Sequence, residues 1–557
     1  MSSRRSLLAA CALFLVLSLV FCRRFFDLTD LESHCMTDGD PGLNAWVLDW
    51  GTHALTTRGV SMLDGNAFFP YSKSIALVEH MTSLAVLNVF LKPFGSTPWF
   101  GYNVLVFLSY FLSGVGGFLF ARDLTGSARA GVWGGLFWAF TFFRVHHMSH
   151  LQILSFEWMP FCVLYLRRGL REASLKNWGA FTVFFLLQSL VSWYLAVITA
   201  FLVVIVGLFA LEKSVFERRT LAMLAGSIAI SGAAILPVAH AYSVAAAHST
   251  LVDRMATAMT SGDLVHLRDY LYPPAATWIG SQVWLNPYSV WGENTLYIGY
   301  TAIVLALAGS IPERRSRRSI GLGLALIVIG FWLSKGFVSN ELHARLPLYW
   351  LARIFPFLAG LRAAQRFSLL VYFGVLILSS LAIARTERLG ARYLPTALLA
   401  ACSVIFLAEV FPVLLPYDGF RRHHFEYSRI DREIERIQRE LGRHVAAIHF
   451  PIYHFVDAKP DHESPYLVGS TLHYASLVNG FASAAPLGWV EDVTIDNRLP
   501  EPTAVARLVE RGVDLVCLHP ALPAERRRDI EEQLVARGQA TLLFSDDEGD
   551  VILQLRR

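Results

Sequence analysis

The sequence predicts a polytopic α-helical membrane protein with a C-terminal soluble α/β domain, on three observations. Of 557 residues, 54% are apolar and 17% charged, and mean hydropathy is +0.45, more apolar surface than a water-soluble chain of this size accommodates. The charges are segregated: positions 417–557 hold 17 basic and 23 acidic side chains, whereas the first 416 hold 31 and 21. About eleven apolar runs approach the roughly 17 to 25 residues that cross a hydrocarbon core. This composition excludes a disordered, collagen-like or disulfide-scaffold chain.

The expected spans are 6–22, 98–121, 129–143, 152–167, 177–192, 194–211, 220–239, 296–311, 319–334, 367–384 and 394–414. Residues 6–22 read as an uncleaved first span, because no small-x-small cleavage site follows and Arg23-Arg24 abut the run. Ser192, Trp193 and Tyr194 mark a turn that divides 177–211 into two spans. With eleven spans and the N-terminus inside, 18 of the 31 basic residues fall in the N-terminal segment and the short inner loops, including Arg167, Arg168 and Arg171, and Arg314, Arg315, Arg317 and Arg318. That asymmetry predicts a cytoplasmic N-terminus and an extracytoplasmic C-terminal domain. Of six cysteines, only Cys35 and Cys517 face the oxidising side; they could pair, but no framework follows.

Two domains are therefore expected, 1–416 and 417–557, with outer-face loops at 23–97, 144–151, 240–295 and 335–366. In the first loop, Leu43, Trp46, Val47, Trp50 and Ala54 recur at helical spacing, an amphipathic helix suited to the membrane interface. A second helix is expected at about 77–92, ended by Pro93-Phe94-Gly95. In the tail, helices are expected at 427–441, 502–511 and 522–537, strands at Val445–Phe450 and Val513–Leu518, and a terminal hairpin from Thr541–Phe544 and Val551–Leu555. The inner loops carry no phosphate-cradling Gly-rich motif, which argues against a cytoplasmic nucleotide site, and no nucleic-acid partner is expected.

Polar chemistry concentrates on the outer loops. Asp38-Gly39-Asp40-Pro41 precedes the first helix; such carboxylates serve as a general base or bind a cation, and Asp40-Pro41 also reads as a helix N-cap followed by Pro. Glu79-His80, with His146, His147, His150 and Gln152, could ligate a divalent metal or position a phosphate. Arg362 and Arg366 would share one helical face and meet a lipid phosphate with two guanidinium groups, or simply snorkel. Asp263, His266, Arg268, Asp269, Glu293 and Tyr297 read mainly as a solvated face. Glu157 and Glu409 lie within spans, where ionisable groups are costly and often functional, although hydrogen bonding near the outer ends also explains them.

These motifs resemble the GT-C superfamily of multispan glycosyltransferases, and in particular a bacterial branch. The opening Gly39-Asp40-Pro41, Asn44, Trp46, Trp50 carries the likeness, with His147, His150, Leu151, Gln152 and, in the tail, Val478-Asn479-Gly480. The resemblance implies sugar transfer from a polyprenyl-phosphate-linked donor to an acceptor hydroxyl of a glycan, lipid or protein, on the extracytoplasmic face of a bacterial inner membrane. It places the first-loop acid on Asp40 or Asp38, with Asp40 preferred. It leaves Glu79 and His80 as the metal candidates for a divalent cation such as Mg or Mn. Arg362 and Arg366, with His147 and His150, would bind the donor phosphate, and direct displacement predicts inversion. A transporter or flippase of lipid or polysaccharide precursors, and a non-catalytic envelope assembly protein, are the competing classes; no internal repeat favours the transporter.

Overall fold

The computed structural model describes residues 3–33, 39–211, 216–260, 262, 264–281, 293–389, 393–412, 424–453 and 463–556. The chain forms two compact units: Met1–Thr29, Asn103–Pro237 and Asp253–Phe420; and Asp30–Tyr102, Val238–Val252 and Arg421–Arg557.

The first unit is helical and apolar. Among the described residues five helices are long and apolar enough to cross a membrane: Arg4–Cys22, Pro98–Thr125, Arg218–Ala247, Arg314–Ser334 and Ala364–Thr386. The chain is a multi-pass membrane protein. Helices Leu175–Ser189 and Trp193–Phe209 fall on either side of Ser192, whose hydroxyl accepts from Leu195 N, so the expected division of 177–211 is present. Three expected spans are shorter helices. Positions 129–143 break after Ala139 into a second helix, Phe142–His146. Residues 152–167 split into Leu151–Leu154 and Trp158–Arg171. The helix expected from 296 begins at Tyr300, because Gly299 holds φ 96, outside helical backbone space.

Helix Ser368–Thr386 is buried along nearly its whole length. Apolar side chains give helices little reason to associate in hydrocarbon, so close backbone approach must supply the packing. Glycines allow it: a Cβ on Gly374 would lie 2.5 Å from Gly323 O, and one on Gly309 would collide with Leu378 O.

The second unit is built on a five-stranded sheet in the order Ser476–Leu477, Ala446–Phe450, Leu515–Leu518, Val551–Leu555, Ala540–Ser545. The first three strands are parallel and the last two form the expected antiparallel hairpin. Both central strands are buried throughout, which is why they read as continuous apolar runs. Helix Arg429–Leu441 starts at a Ser428–Asp431 capping box and stops at Gly442, φ 62. Helices Ser464–Gly469 and Trp489–Asp496 were not expected from the sequence. Cys517 lies buried in a central strand; Cys35 lies outside the described residues.

The first loop belongs to this unit. Its second helix is shorter than expected, Thr82–Leu91. Residues 66–69 extend the sheet edge, with Phe68 N bonded to Asn479 O at 3.0 Å, Phe69 N to Leu477 O at 2.7 Å and Leu477 N to Asn66 O at 2.6 Å. Helix Asp40–Thr56 packs on helix Ser464–Gly469, where a Cβ on Gly42 would sit 3.1 Å from Ser464 Cβ. The expected interfacial helix is therefore a core helix. Trp46 and Trp50 are buried, and Trp46 Nε1 donates to Asn66 Oδ1 at 2.8 Å. Asn66 Nδ2 in turn donates to Ser470 Oγ and Ala475 O. The N-cap also differs: Gly39, φ 109, occupies it, while Asp40 and Pro41 begin the helix.

Candidate functional site

In the first unit the polar cluster forms where irregular backbone lets side chains turn inward. Short helices Phe142–His146 and Leu151–Leu154 present three histidines, of which His146 and His147 are buried. Arg366 lies in a 3-10 turn, Ala364–Phe367. Its Nη2 donates to Glu293 Oε1 at 2.5 Å and its Nε to Glu293 Oε2 at 3.2 Å, a two-pronged ion pair. Its guanidinium stacks 4.4 Å from the centre of the Tyr194 ring, and the adjacent Gln365 Nε2 donates to Asn294 Oδ1 at 3.2 Å.

His147 Nε2 stands 3.9 Å from Glu293 Oε2, too far for a direct hydrogen bond. Both ring nitrogens of His147 are buried without a hydrogen-bond partner among the described residues, as are Gln152 Oε1 and Gln365 Oε1. Buried polar atoms are nearly always satisfied, so unmet ones ask for a ligand or water. Burial pushes His146 down to about 4 and His147 well below its ordinary range, so both imidazoles are neutral near pH 7 and each can donate as well as accept. For Glu293, burial acts upward, but the charge and hydrogen bonds of Arg366 outweigh it and hold the carboxyl well below the usual range. The site thus contains a fixed carboxylate, a guanidinium committed to it, and an unsatisfied neutral imidazole.

Arg362 does not share a helical face with Arg366, because residues 361–363 are not helical. It is exposed and lies near Arg254, a residue that carries no motif of its own. Burial first, and Arg362 second, push the Arg254 guanidinium down.

Arg144 is another residue that sequence reasoning missed. It is wholly buried, donating to Ser109 Oγ at 2.9 Å, to Ser113 Oγ and to Trp138 O, with its guanidinium 3.8 Å from the Phe156 ring centre. Ser109 Oγ passes a bond on to Glu157 Oε2 at 2.7 Å. Glu409 accepts from Thr301 N and Oγ1, capping helix Tyr300–Ser310. Both span carboxylates are therefore satisfied structurally. Asp269 caps its own short helix through His266 N, and Asp263 lies outside the described residues.

Asp40, Glu79 and His80 belong to the second unit, and Asp38 lies outside the described residues. Asp40 is half-buried in the first turn of helix Asp40–Thr56. His80 is buried, its Nδ1 engaged by Thr82 N at 3.2 Å and Thr82 Oγ1 at 2.8 Å, and burial pushes it down to about 4. Among the described residues no group of three or more His, Cys, Asp or Glu is arranged to hold a metal ion around Glu79 and His80 or elsewhere. The helix is anchored instead through Asp49, which takes Lys92 Nζ at 2.5 Å and Tyr474 OH at 2.6 Å.

No family model matches the sequence, and no curated protein matches it. Solved structures do. Three cryo-EM structures of arabinofuranosyltransferase AftD from mycobacteria superpose on it with TM-scores of 0.58, 0.55 and 0.53, at 12%, 14% and 12% identity. They cover 99%, 100% and 100% of this chain. The chain shares the fold of these AftD structures along its whole length. It spans about two fifths of the AftD chain, 41%, 42% and 40% in the three structures. Within that shared fold, the Arg366–Glu293–His147 cluster lies in the helical unit, and Asp40 opens a core helix of the mixed α/β unit.

Proposed function

We propose that this protein is a glycosyltransferase that takes a sugar from a polyprenyl-phosphate-linked donor and passes it to an acceptor hydroxyl on the extracytoplasmic face of a bacterial inner membrane. Its likeness in fold to an arabinofuranosyltransferase along the whole chain supports the class of reaction. The observation that carries the donor assignment is the buried imidazole of His147, with both nitrogens unsatisfied, beside the Arg366–Glu293 pair.

In this reading the donor phosphate exchanges places with the Glu293 carboxylate at Arg366, so that positive charge meets the oxygen on which charge develops as the glycosidic bond breaks. His147, neutral and buried, donates a hydrogen bond to the same phosphate. His150 and Arg362 supply the outer contacts. Asp40 takes the proton of the acceptor hydroxyl as its oxygen bonds to the anomeric carbon; the polyprenyl phosphate leaves, and the configuration inverts.

The test is transfer of radiolabelled sugar from a panel of polyprenyl-phosphate donors, in acceptor-containing membranes holding wild-type or Asp40→Asn protein at equal levels. Transfer by the wild type that disappears in the variant is the expected result. Transfer retained by Asp40→Asn removes Asp40 as the base. No transfer from any donor by folded wild type overturns the assignment in favour of a transporter or assembly role.

A further inference from the structure

A second polar site lies where three helices of the first unit meet, on residues the glycosyl-transfer reading does not use. The end of helix Trp158–Arg171, the end of helix Trp193–Phe209 and the start of helix Arg317–Ser334 enclose a cavity of about 200 Å³. Its apolar wall is Leu170, Val206, Phe209 and Leu322, and its polar rim carries three arginines, Arg167, Arg171 and Arg318.

Arginines at the ends of membrane helices ordinarily snorkel towards water and complement the helix dipole. That accounts for Arg168 and Arg171, which reach Asp123 at 2.9 and 3.2 Å and are about half exposed. It does not account for Arg167, whose Nε is buried without a hydrogen-bond partner among the described residues, beside the like charge of Arg171 and in the field of an Asp123 carboxylate that Arg168 and Arg171 already share. Among the described residues, a guanidinium turned into a half-apolar cavity, next to a second cation whose carboxylate partner is already shared, leaves room for a further anion. The two basic segments that meet there, 167–171 and 314–318, are those the charge asymmetry assigns to the cytoplasmic side. A ligand for this cavity needs a phosphate for the guanidinium rim and hydrocarbon for the Leu170–Leu322 wall. Basic pockets between helices on that side bind anionic headgroups.

We propose that the cavity bounded by Arg167, Arg171 and Arg318 binds the phosphate headgroup of an anionic phospholipid from the cytoplasmic leaflet. The inference is independent of the sugar-transfer reading, since it concerns other residues and is read by binding alone.

The experiment is native mass spectrometry of the purified full-length protein titrated with dioctanoylphosphatidylglycerol, dioctanoylphosphatidylcholine or glycerol 3-phosphate. Phosphatidylglycerol is expected to bind saturably and at least about tenfold more tightly than either other probe. Arg167→Leu and, separately, Arg318→Ala are each expected to weaken it about tenfold, with Arg129→Ala as an unchanged control. Arg318 is exposed, so its variant keeps the test decisive if Arg167→Leu misfolds. Equal binding of the two lipids, or wild-type affinity in both variants, overturns the proposal. Glycerol 3-phosphate binding as tightly as phosphatidylglycerol overturns the lipid assignment and makes the ligand a soluble phosphate.

Discussion

Arg366 grips Glu293 at both carboxylate oxygens, 2.5 Å from Nη2 to Oε1 and 3.2 Å from Nε to Oε2, across 73 residues of sequence. Removing one partner of a buried pair strands the other charge, whereas replacing both with apolar groups is often tolerated. Arg366→Ala is expected to destabilise by about 2–4 kcal/mol and to raise the apparent donor KM. The double variant Arg366→Met with Glu293→Leu should recover thermal stability and still fail to use donor. Recovery of both stability and donor use by the double variant would show that the pair is purely structural.

Asp40 and Asp49 lie on the same helix and should behave oppositely. Asp40→Asn is expected to lower transfer by about 100-fold or more, the usual scale of a lost general base, with little change in melting temperature. Asp49→Ala leaves Lys92 and the strained Tyr474, φ 51, without their shared acceptor and should cost about 1–3 kcal/mol. Paired unfolding and transfer assays on the two variants separate the roles; matching stability losses would deny Asp40 a catalytic part.

The second unit should lose stability towards both acid and alkali. Burial raises the Glu463 carboxyl to about 8, so the folded state keeps its proton where the unfolded chain releases it near the ordinary 4.5. Between those values the folded state binds more protons, and this group's contribution falls as pH rises from about 4.5 to about 8. Burial, and then His519, depress His449; its contribution is lost as pH falls below the ordinary 6.5. Melting curves of wild type and Glu463→Gln across this range should diverge on the alkaline side, with the variant less sensitive to pH. Parallel curves would dismiss a buried neutral Glu463.

Arg144 ties the irregular 142–158 segment to helix Pro98–Thr125 through Ser109 and Ser113. Arg144→Lys should fail to substitute, because an ammonium cannot fork to two hydroxyls while stacking on Phe156. A loss of about 3–5 kcal/mol is expected for Arg144→Ala, which leaves Glu157 without its counter-charge. Thermal stability and level in the membrane are the readouts, and a wild-type melting temperature for Arg144→Ala would refute this role.

Local patterns in the sequence determined the membrane character, the division of 177–211 at Ser192, the strands at 446–450 and 515–518, and the terminal hairpin. Apolar run length, turn chemistry and alternation are properties of neighbouring residues, so they are legible without a partner. Periodicity also located helix 40–56, yet it could not say what covers the apolar face. A membrane interface and a protein core both select Trp46 and Trp50. The tertiary structure chose the core, through Asn66 and Ser470, 404 positions apart. It likewise paired Arg366 with Glu293, sank Arg144 among hydroxyls, and turned Arg167 into a cavity. Charge pairing and burial depend on distance in space, and single residues scattered along a chain carry no periodic signal of what they will meet.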